Sequence, residues 1–595
     1  MQVNAWALGA VAAVAMVTFA LGHHSARFAS STHDFLLARR TVRSRRNAAA
    51  VTGEYLSAAS FLGVAGVVLT KGVDALWYPI GFTAGYLALT LFVAAPLRRS
   101  GAYTLPDFLE ARLGSQRLRK VATWFVVGIG VLYLIPQLQG AGIALSTILP
   151  TPIWVGALIV MGLVTVNVIG GGMRAVTVVQ AFQYWLKLFA IAAPTFVLCG
   201  LFLTGAAGPS AGSLGSPAPP VFSTATTVEV KTPVTLTVQE PTRLSASGTV
   251  DGAPATGMVL WSPSVPHQVG AGTELRFPAG TEVPVVSEAV ASNSTWLRPG
   301  TGELDGMLST YSLIFATFLG TMGLPHVLVR FYTNPDGKAA RRTTVHVLLL
   351  LGLFYLFPTM IGALSRMYVP QLLVTGKTDA AVLSLPTAML PGPAGQILAA
   401  VTAAGAFAAF LATSAGLLVT ISGVIFTDLL PGRVRDFKLA ALIVAVAAFL
   451  LAWWLRPGGL SVTVALSFAL AASTFCPLLL LGIWWQRLTW KGALAGMVVG
   501  GGLVLAALVV NIVNNLAGTA PPWFTLQPAL FTVPAAFATT IVVSRASSRH
   551  VPGDVGAVML RMHAPDPFGL GKDRAEDRFG KASEEEELRG GRHRR

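Results

Sequence analysis

The sequence predicts an all-α polytopic membrane protein, built as two five-helix repeats of opposite orientation with a small β-rich insertion between them. Three observations lead there. Of 595 residues, 53% are hydrophobic and only 11% charged, with a mean hydropathy of +0.65; soluble domains carry about 25% charged residues. Apolar runs of membrane length recur along the chain, about thirteen in all. Two of these runs, Val51–Thr70 and Thr310–Val329, are interrupted by glycine, proline and polar residues, and they lie five spans apart.

The net charge of +16 does not call for nucleic acid. The Lys and Arg residues sit in short loops between apolar spans, which is the positive-inside pattern. Cys199 and Cys476 fall within apolar spans with no metal spacing around them, so they read as small buried hydrophobes. The first apolar segment, Ala5–Leu21, lacks a basic leader and a small-residue cleavage site, and residues 1–22 read as a retained first helix.

Residues 49–204 hold spans 2 to 6, the first repeat. The basic loop before them, with Arg39 and Arg40, places the N-terminus outside. Span 3 ends at Arg98 and Arg99, and Pro106 opens a short interfacial helix on the same side. Span 4 carries Pro136, Gln137 and Gln139 at membrane depth. Span 5 ends in Gly170–Gly172, and span 6 carries Gln180, Gln183 and Lys187.

Residues 205–306 change character, to Ser, Thr, Pro and Gly with stretches of period two such as TTVEVKTPVTLTV. This predicts a β-rich insertion, outside by count of spans. Residues 308–485 hold spans 7 to 11, the second repeat, and 488–544 hold spans 12 and 13. Residues 545–595 mix both charge signs without apolar period and read as a disordered cytoplasmic tail.

The two interruptions carry the chemistry. In span 2, Gly53, Glu54, Ser57 and Ser60 precede Gly63 and Gly66. A carboxylate at membrane depth costs about 2.5–3.5 kcal/mol on insertion scales, so it faces a cavity, a partner or an ion, unless Glu54 lies at the interface. In span 7, Gly320, Gly323 and Pro325 fall close together, and Pro325 both stops the helix and disfavours helical geometry at Leu324. Paired breaks in two halves of a transporter point to a midplane site. The candidate substrate cavity is bounded by Tyr55, Ser57, Gln137, Thr321 and the break from Gly323 to Pro325. His326 reads either as a proton carrier or substrate donor, or as a packed neutral histidine.

The motifs GEYLSAASFLGVAG, GGGMRAVTVVQAFQ, GTMGLPHVLVRFYT and AFAAFLATSAGLLVTISGVIFTDLL resemble the sodium:solute symporter family, most closely its cation/acetate symporter branch. The resemblance covers residues 34 to 485 without the insertion, which is longer and more β-like than in that branch. It implies a LeuT-type inverted-repeat transporter of about 13 transmembrane helices, N-terminus outside, in the cell membrane. It also implies a sodium site made by the carbonyls of Gly53, Leu56 and Ala409 and the hydroxyls of Thr413 and Ser414. The other reading of Thr413 and Ser414 is helix packing by small polar residues. Family members place an Asp near the Tyr55 position, and here Glu54 is the only local carboxylate.

The expected activity is secondary active uptake of a small, acetate-like monocarboxylate, driven by sodium or by protons through alternating access. No cofactor and no nucleic acid are implied, and the partners are the solute, the cation and the bilayer. A membrane sensor using the insertion to bind a ligand is the reading from another class. An enzyme is disfavoured, because His326 and His346 are the only histidines in or near the spans from the second onward and lack a partnered nucleophile.

Overall fold

The computed structural model describes residues 4–570 apart from 27–41, 209, 288, 301–303, 430–433, 456–459, 518 and 520. The loop with Arg39 and Arg40, and the chain beyond residue 570, lie outside the described residues.

Among the described residues, 11 helices are long and apolar enough to cross a membrane. One of them runs through 52 residues, Ile153–Thr204, about 78 Å at helical rise and more than twice a bilayer core. Gly172, at φ 53 and ψ −153, divides it. Another, Ala59–Phe92, turns at Gly72, where φ is 62 and ψ −128.

In chain order the first half comprises α1 (Ala5–Ala26), α2 (Ser44–Tyr55), α3 (Val64–Lys71), α4 (Trp77–Phe92), α5 (Ala94–Arg99), α6 (Leu105–Leu113), α7 (Gln116–Ile148) and α8 (Ile153–Thr204). Then come seven strands, β1 (Thr226–Val230) to β7 (Val285–Val286), and the short α9 (Asn293–Trp296). The second half has α10 (Leu304–Gly323), α11 (Pro325–Val329), α12 (Gly337–Tyr368), α13 (Gln371–Thr375), α14 (Ala381–Met389), α15 (Pro393–Asp428), α16 (Val434–Trp454) and α17 (Leu460–Trp484). α18 (Trp490–Ala517), α19 (Trp523–Leu526), α20 (Ala529–Ala546) and α21 (Val555–His563) complete the chain.

The two interruptions are helix breaks of the same kind. α2 stops because Leu56 takes φ −71 and ψ 86, and the chain resumes as a π-turn over Ala59–Gly63 before α3. α10 stops at Gly323 because Leu324, ahead of proline, is extended (φ −70, ψ 114). Pro325 then opens α11, where its missing N–H costs nothing. Pro136, by contrast, stays inside an unbroken α7. α6 is capped by Thr104, which accepts from the Asp107 N–H at 3.2 Å, and ends at Gly114 in the left-handed region.

α15 and α17 form the centre of the bundle, 94% and 89% buried over their most apolar windows, while α1 is 28% buried and stands at the rim. The first break packs between α8 and α15. A Cβ on Gly53 would lie 2.4 Å from the Gln180 carbonyl oxygen, so glycine is what allows α2 and α8 to touch backbone to backbone.

With β2 at Val234–Thr237, β3 at Thr242–Val250, β4 at Ala253–Trp261, β5 at His267–Val269 and β6 at Thr273–Phe277, the insertion folds as one antiparallel sheet in the order β1-β6-β3-β5-β2-β7, with β4 paired to β3. Asp251 (φ 53) and Gly252 (φ 77) make the tight turn of that hairpin, as an Asp-Gly pair favours. Trp261, Leu275 and Phe277 fill its interior. The sheet is fastened to the end of α3. Trp296 Nε1 donates to the carbonyls of Val68 (2.8 Å) and Leu69 (3.2 Å), and Arg366 donates to Asn293 Oδ1 (2.7 Å) and the Ala291 carbonyl (2.7 Å).

The expectation of disorder throughout 545–595 is corrected for its first part. α21 buries Met559 and Met562 against the bundle near α5, a spacing of three that puts both on one face. Asp566 then pairs with Arg99 at 3.0 Å and accepts from the N–H groups of Gly337 and Lys338. This docking lies at the start of α12, whereas the sheet contacts its end at Arg366, so tail and sheet occupy opposite ends of the bundle.

Candidate transport site

The C-terminal carbonyls of α2 lose their helical partners once Leu56 leaves the helix, and side chains from two other helices bond to three carbonyls at this break. Thr413 Oγ1 donates to the Glu54 carbonyl at 2.6 Å. Lys187 Nζ donates to the carbonyl oxygens of Gly53 and, at 2.8 Å, Leu56. Lys187 is fully buried. It reaches this place because Gln180, Tyr184 and Lys187 recur at i, i+4 and i+7 along α8 and present one face to α2.

The Glu54 side chain belongs to a second polar set. Arg330, just past α11, donates through Nε to Glu54 Oε2 at 2.6 Å, through Nη1 to Thr177 Oγ1 at 2.8 Å, and through Nη2 to Gln180 Oε1. Gln180 Nε2 in turn donates to the Ala412 carbonyl at 2.7 Å. Glu54 Oε1 presses on Gly416, where a Cβ would come within 2.0 Å. Four elements thus meet at one buried carboxylate: both broken spans, α8 and α15.

On the other side of the breaks lies a polar-aromatic cluster. Thr321 Oγ1 donates to the Thr317 carbonyl at 2.7 Å, which leaves Tyr55 as donor in the 2.9 Å contact between the two hydroxyls. Gln137 Oε1 accepts from the Ala58 N–H at 2.8 Å, capping the restart of span 2. Ser60 and Tyr355 share a hydrogen bond at 2.9 Å. Tyr55 meets Tyr86 edge to face at 4.8 Å, and the rings of Tyr133 and His326 lie 5.1 Å apart. Both nitrogens of His326 and the Tyr86 hydroxyl are buried without a hydrogen-bond partner among the described residues.

Of the residues singled out from sequence, Tyr55, Thr321, Gln137 and His326 are gathered around the two breaks, and Ser57 lies against the Tyr133 phenol. Gly323 turns to α17 instead: a Cβ there would lie 2.4 Å from the Ala471 carbonyl, so it serves close packing. Ala409 and Ser414 are buried in α15, Ser414 Oγ without a hydrogen-bond partner among the described residues. Sequence reasoning assigned no role to Lys187 or Arg330. Both are ionisable residues within apolar spans, and that alone marks them as candidates.

The chain is similar to known transporters. The model of the sodium:solute symporter family matches residues 35–212 and 256–500. The chain is 28% identical to the uncharacterized symporter YwcA of Bacillus subtilis (strain 168), over 88% of this chain and 91% of that one. It is 27% identical to the monocarboxylic acid transporter of Corynebacterium glutamicum, over 92% of each. Among solved structures it resembles a Na+-coupled sialic acid symporter in a substrate-bound outward-open state, with TM-score 0.57 and 15% identity over 91% of this chain and 97% of that one. It also resembles Mhp1, a nucleobase-cation-symport-1 family transporter in a closed conformation, with TM-score 0.50 and 12% identity over 89% of this chain and 99% of that one. These neighbours are transporters of LeuT-like fold. The match runs through both breaks and the helices that hold them, and the chain belongs to the sodium:solute symporter family.

Proposed function

We propose that the protein is a secondary active symporter for a small monocarboxylate of acetate size, taken up by alternating access and driven by a cation gradient. The observation that carries this is the pairing of the two helix breaks across Tyr55 and Thr321. Hydroxyl, amide and imidazole groups converge there within an aromatic wall, and among the described residues no group of three or more His, Cys, Asp or Glu side chains could hold a metal ion. Such groups can hold a carboxylate of a few atoms by hydrogen bonds. The resemblance to the Corynebacterium monocarboxylic acid transporter supports the substrate class.

The family and the sodium-coupled sialic acid neighbour support sodium as the driving cation. In that reading the ligands are the carbonyls of Gly53, Leu56 and Ala409 with Thr413 and Ser414. A sodium-free reading draws on Lys187, whose ammonium already sits on two of those carbonyls. The N-terminus and the insertion are placed outside in this proposal, the tail inside.

Uptake of labelled acetate into proteoliposomes, challenged with acetate, propionate, pyruvate and a neutral sugar, tests the substrate class. Competition by the three acids supports it. Uptake of the sugar with no competition by any acid overturns it.

A further inference from the structure

The end of α2 is a negative pole. Its last carbonyls point out of the helix unpaired by helix bonds, and the aligned peptide dipoles add partial negative charge there. In broken-helix transporters such an end is where a coupling cation docks. Here a cation is already in place, and it belongs to the chain. Lys187 is fully buried, and its ammonium donates to both Gly53 O and Leu56 O. An ammonium has three donors and no acceptor, so it competes for the same oxygen lone pairs a sodium ion needs. The two also carry like charge, and neither tolerates the other at contact distance in a water-poor interior.

Two further contacts show that this arrangement is built. Glu54, the nearby carboxylate, is committed to Arg330, so the helix end itself is what balances the ammonium. Thr413 Oγ1 donates to the Glu54 carbonyl, which ties α15 to the same helix end that Lys187 occupies. The close approach of Gly53 to the Gln180 backbone brings α8 near enough for Lys187 to span the gap.

Resting on the transport reading above, we propose that Lys187 decides the choice of coupling ion: its ammonium is the resident cation of the first helix break, excludes sodium from the Gly53–Leu56 carbonyl pair, and makes transport independent of sodium. Removing the ammonium frees both carbonyls beside Thr413 and Ser414, and the vacated shell then accepts sodium.

Two measurements on the full-length protein at one fixed pH test this. In the first, liposomes loaded with unlabelled acetate exchange it for labelled acetate in sodium or potassium buffer with no net gradient. The wild type is expected to exchange equally in both. Lys187→Ala is expected to exchange about tenfold faster in sodium than in potassium, within the usual range of coupling between sites, and Thr413→Ala added to it is expected to abolish the difference. In the second, the thermal midpoint of detergent-solubilised protein is followed against sodium with potassium as the control, which needs no substrate. A flat response for the wild type and a sodium-dependent rise for Lys187→Ala support the proposal.

Wild-type exchange that requires sodium, or a wild-type midpoint that rises with sodium and loses the rise in Thr413→Ala, overturns it. Should Lys187→Ala not fold, the wild-type responses alone decide. Absence of acetate exchange in both buffers is a failure of the substrate reading, and the sodium response of the midpoint still judges the role of Lys187.

Discussion

Arg330 Nε stands 2.6 Å from Glu54 Oε2, fully out of solvent, so one ion pair joins the two interrupted spans. The guanidinium also holds Thr177 and Gln180 of α8, which makes the pair the hub of a three-element clasp. Breaking a buried pair by removing one partner costs about 3–5 kcal/mol, because the other charge is left uncompensated. Glu54→Gln and Arg330→Met are each expected to lower stability by about that amount. The double variant is expected to lose less than the sum of the two. Additive losses in thermal unfolding would show that the two side chains do not act as a pair.

Tyr55 donates to Thr321 across the break, and both residues are buried. If these hydroxyls hold the carboxylate, Tyr55→Phe is expected to weaken apparent affinity by about tenfold, the loss of one hydrogen bond to a charged group at about 1.5 kcal/mol. The maximal rate of uptake is expected to change less. An unchanged KM in acetate uptake would place the substrate elsewhere.

The sheet grips the end of α3 through Trp296 and Arg366. Trp296→Ala removes two hydrogen bonds and the Arg366 stacking contact at 5.2 Å, while the carbonyls of Val68 and Leu69 keep the Gly72 N–H and the Arg366 guanidinium as donors. A loss of about 3–5 kcal/mol is expected from truncating this buried ring. Proteolysis of the 205–306 segment in the folded protein should accelerate. Wild-type protease resistance in the variant would mean that the sheet is held by other contacts.

Asp566 fastens the tail to the bundle. Burial alone would raise its carboxyl, but the hydrogen bond and charge of Arg99 and the N–H groups of Gly337 and Lys338 hold it below the ordinary carboxylate range. A lowered folded-state pKa contributes stability that is present above the unfolded value, about 3.9, and lost as pH falls through the folded one. The tail is therefore expected to stay docked from neutral pH to about 4 and to release below it. Because the pair is partly exposed, its share is about 1 kcal/mol or less. A fluorophore pair on α21 and α12 would read the release, and release well above pH 5 would exclude Asp566 as the fastening.

The proposed orientation rests on the one-sided clustering of Arg98, Arg99, Arg341 and Arg342. A cysteine at Thr256, exposed on β4, is expected to react with an impermeant maleimide in intact cells, and one at Ser583 is expected to react only after lysis. Reaction at Ser583 in intact cells would invert the topology.

The breaks were legible in the sequence because glycine and proline inside an apolar run have few other uses. The insertion was legible because period two replaces the apolar runs there. The partners of the break were not. Lys187 meets Gly53 across 134 positions of sequence, and Arg330 meets Glu54 across 276. The i, i+4, i+7 spacing of Gln180, Tyr184 and Lys187 shows that they share a face, but which helix that face meets depends on packing. α21 was hidden differently. Its short apolar stripe, Val555, Val558, Met559 and Met562, sits among charges that dominate any window average, although the spacing itself is helical.

The seat of Lys187 has a consequence for supply. A dissolved ion reaches a site in proportion to its concentration on one side of the membrane, and leaves when diluted. An ammonium joined to the backbone has an effective concentration set by its tether, the same at either face and in any salt. The end of α2 is therefore neutralised whatever the compartments contain. On the proposal that Lys187 is the resident cation, parting α2 from α8 would expose a charge that cannot diffuse away, because it stays joined to the chain.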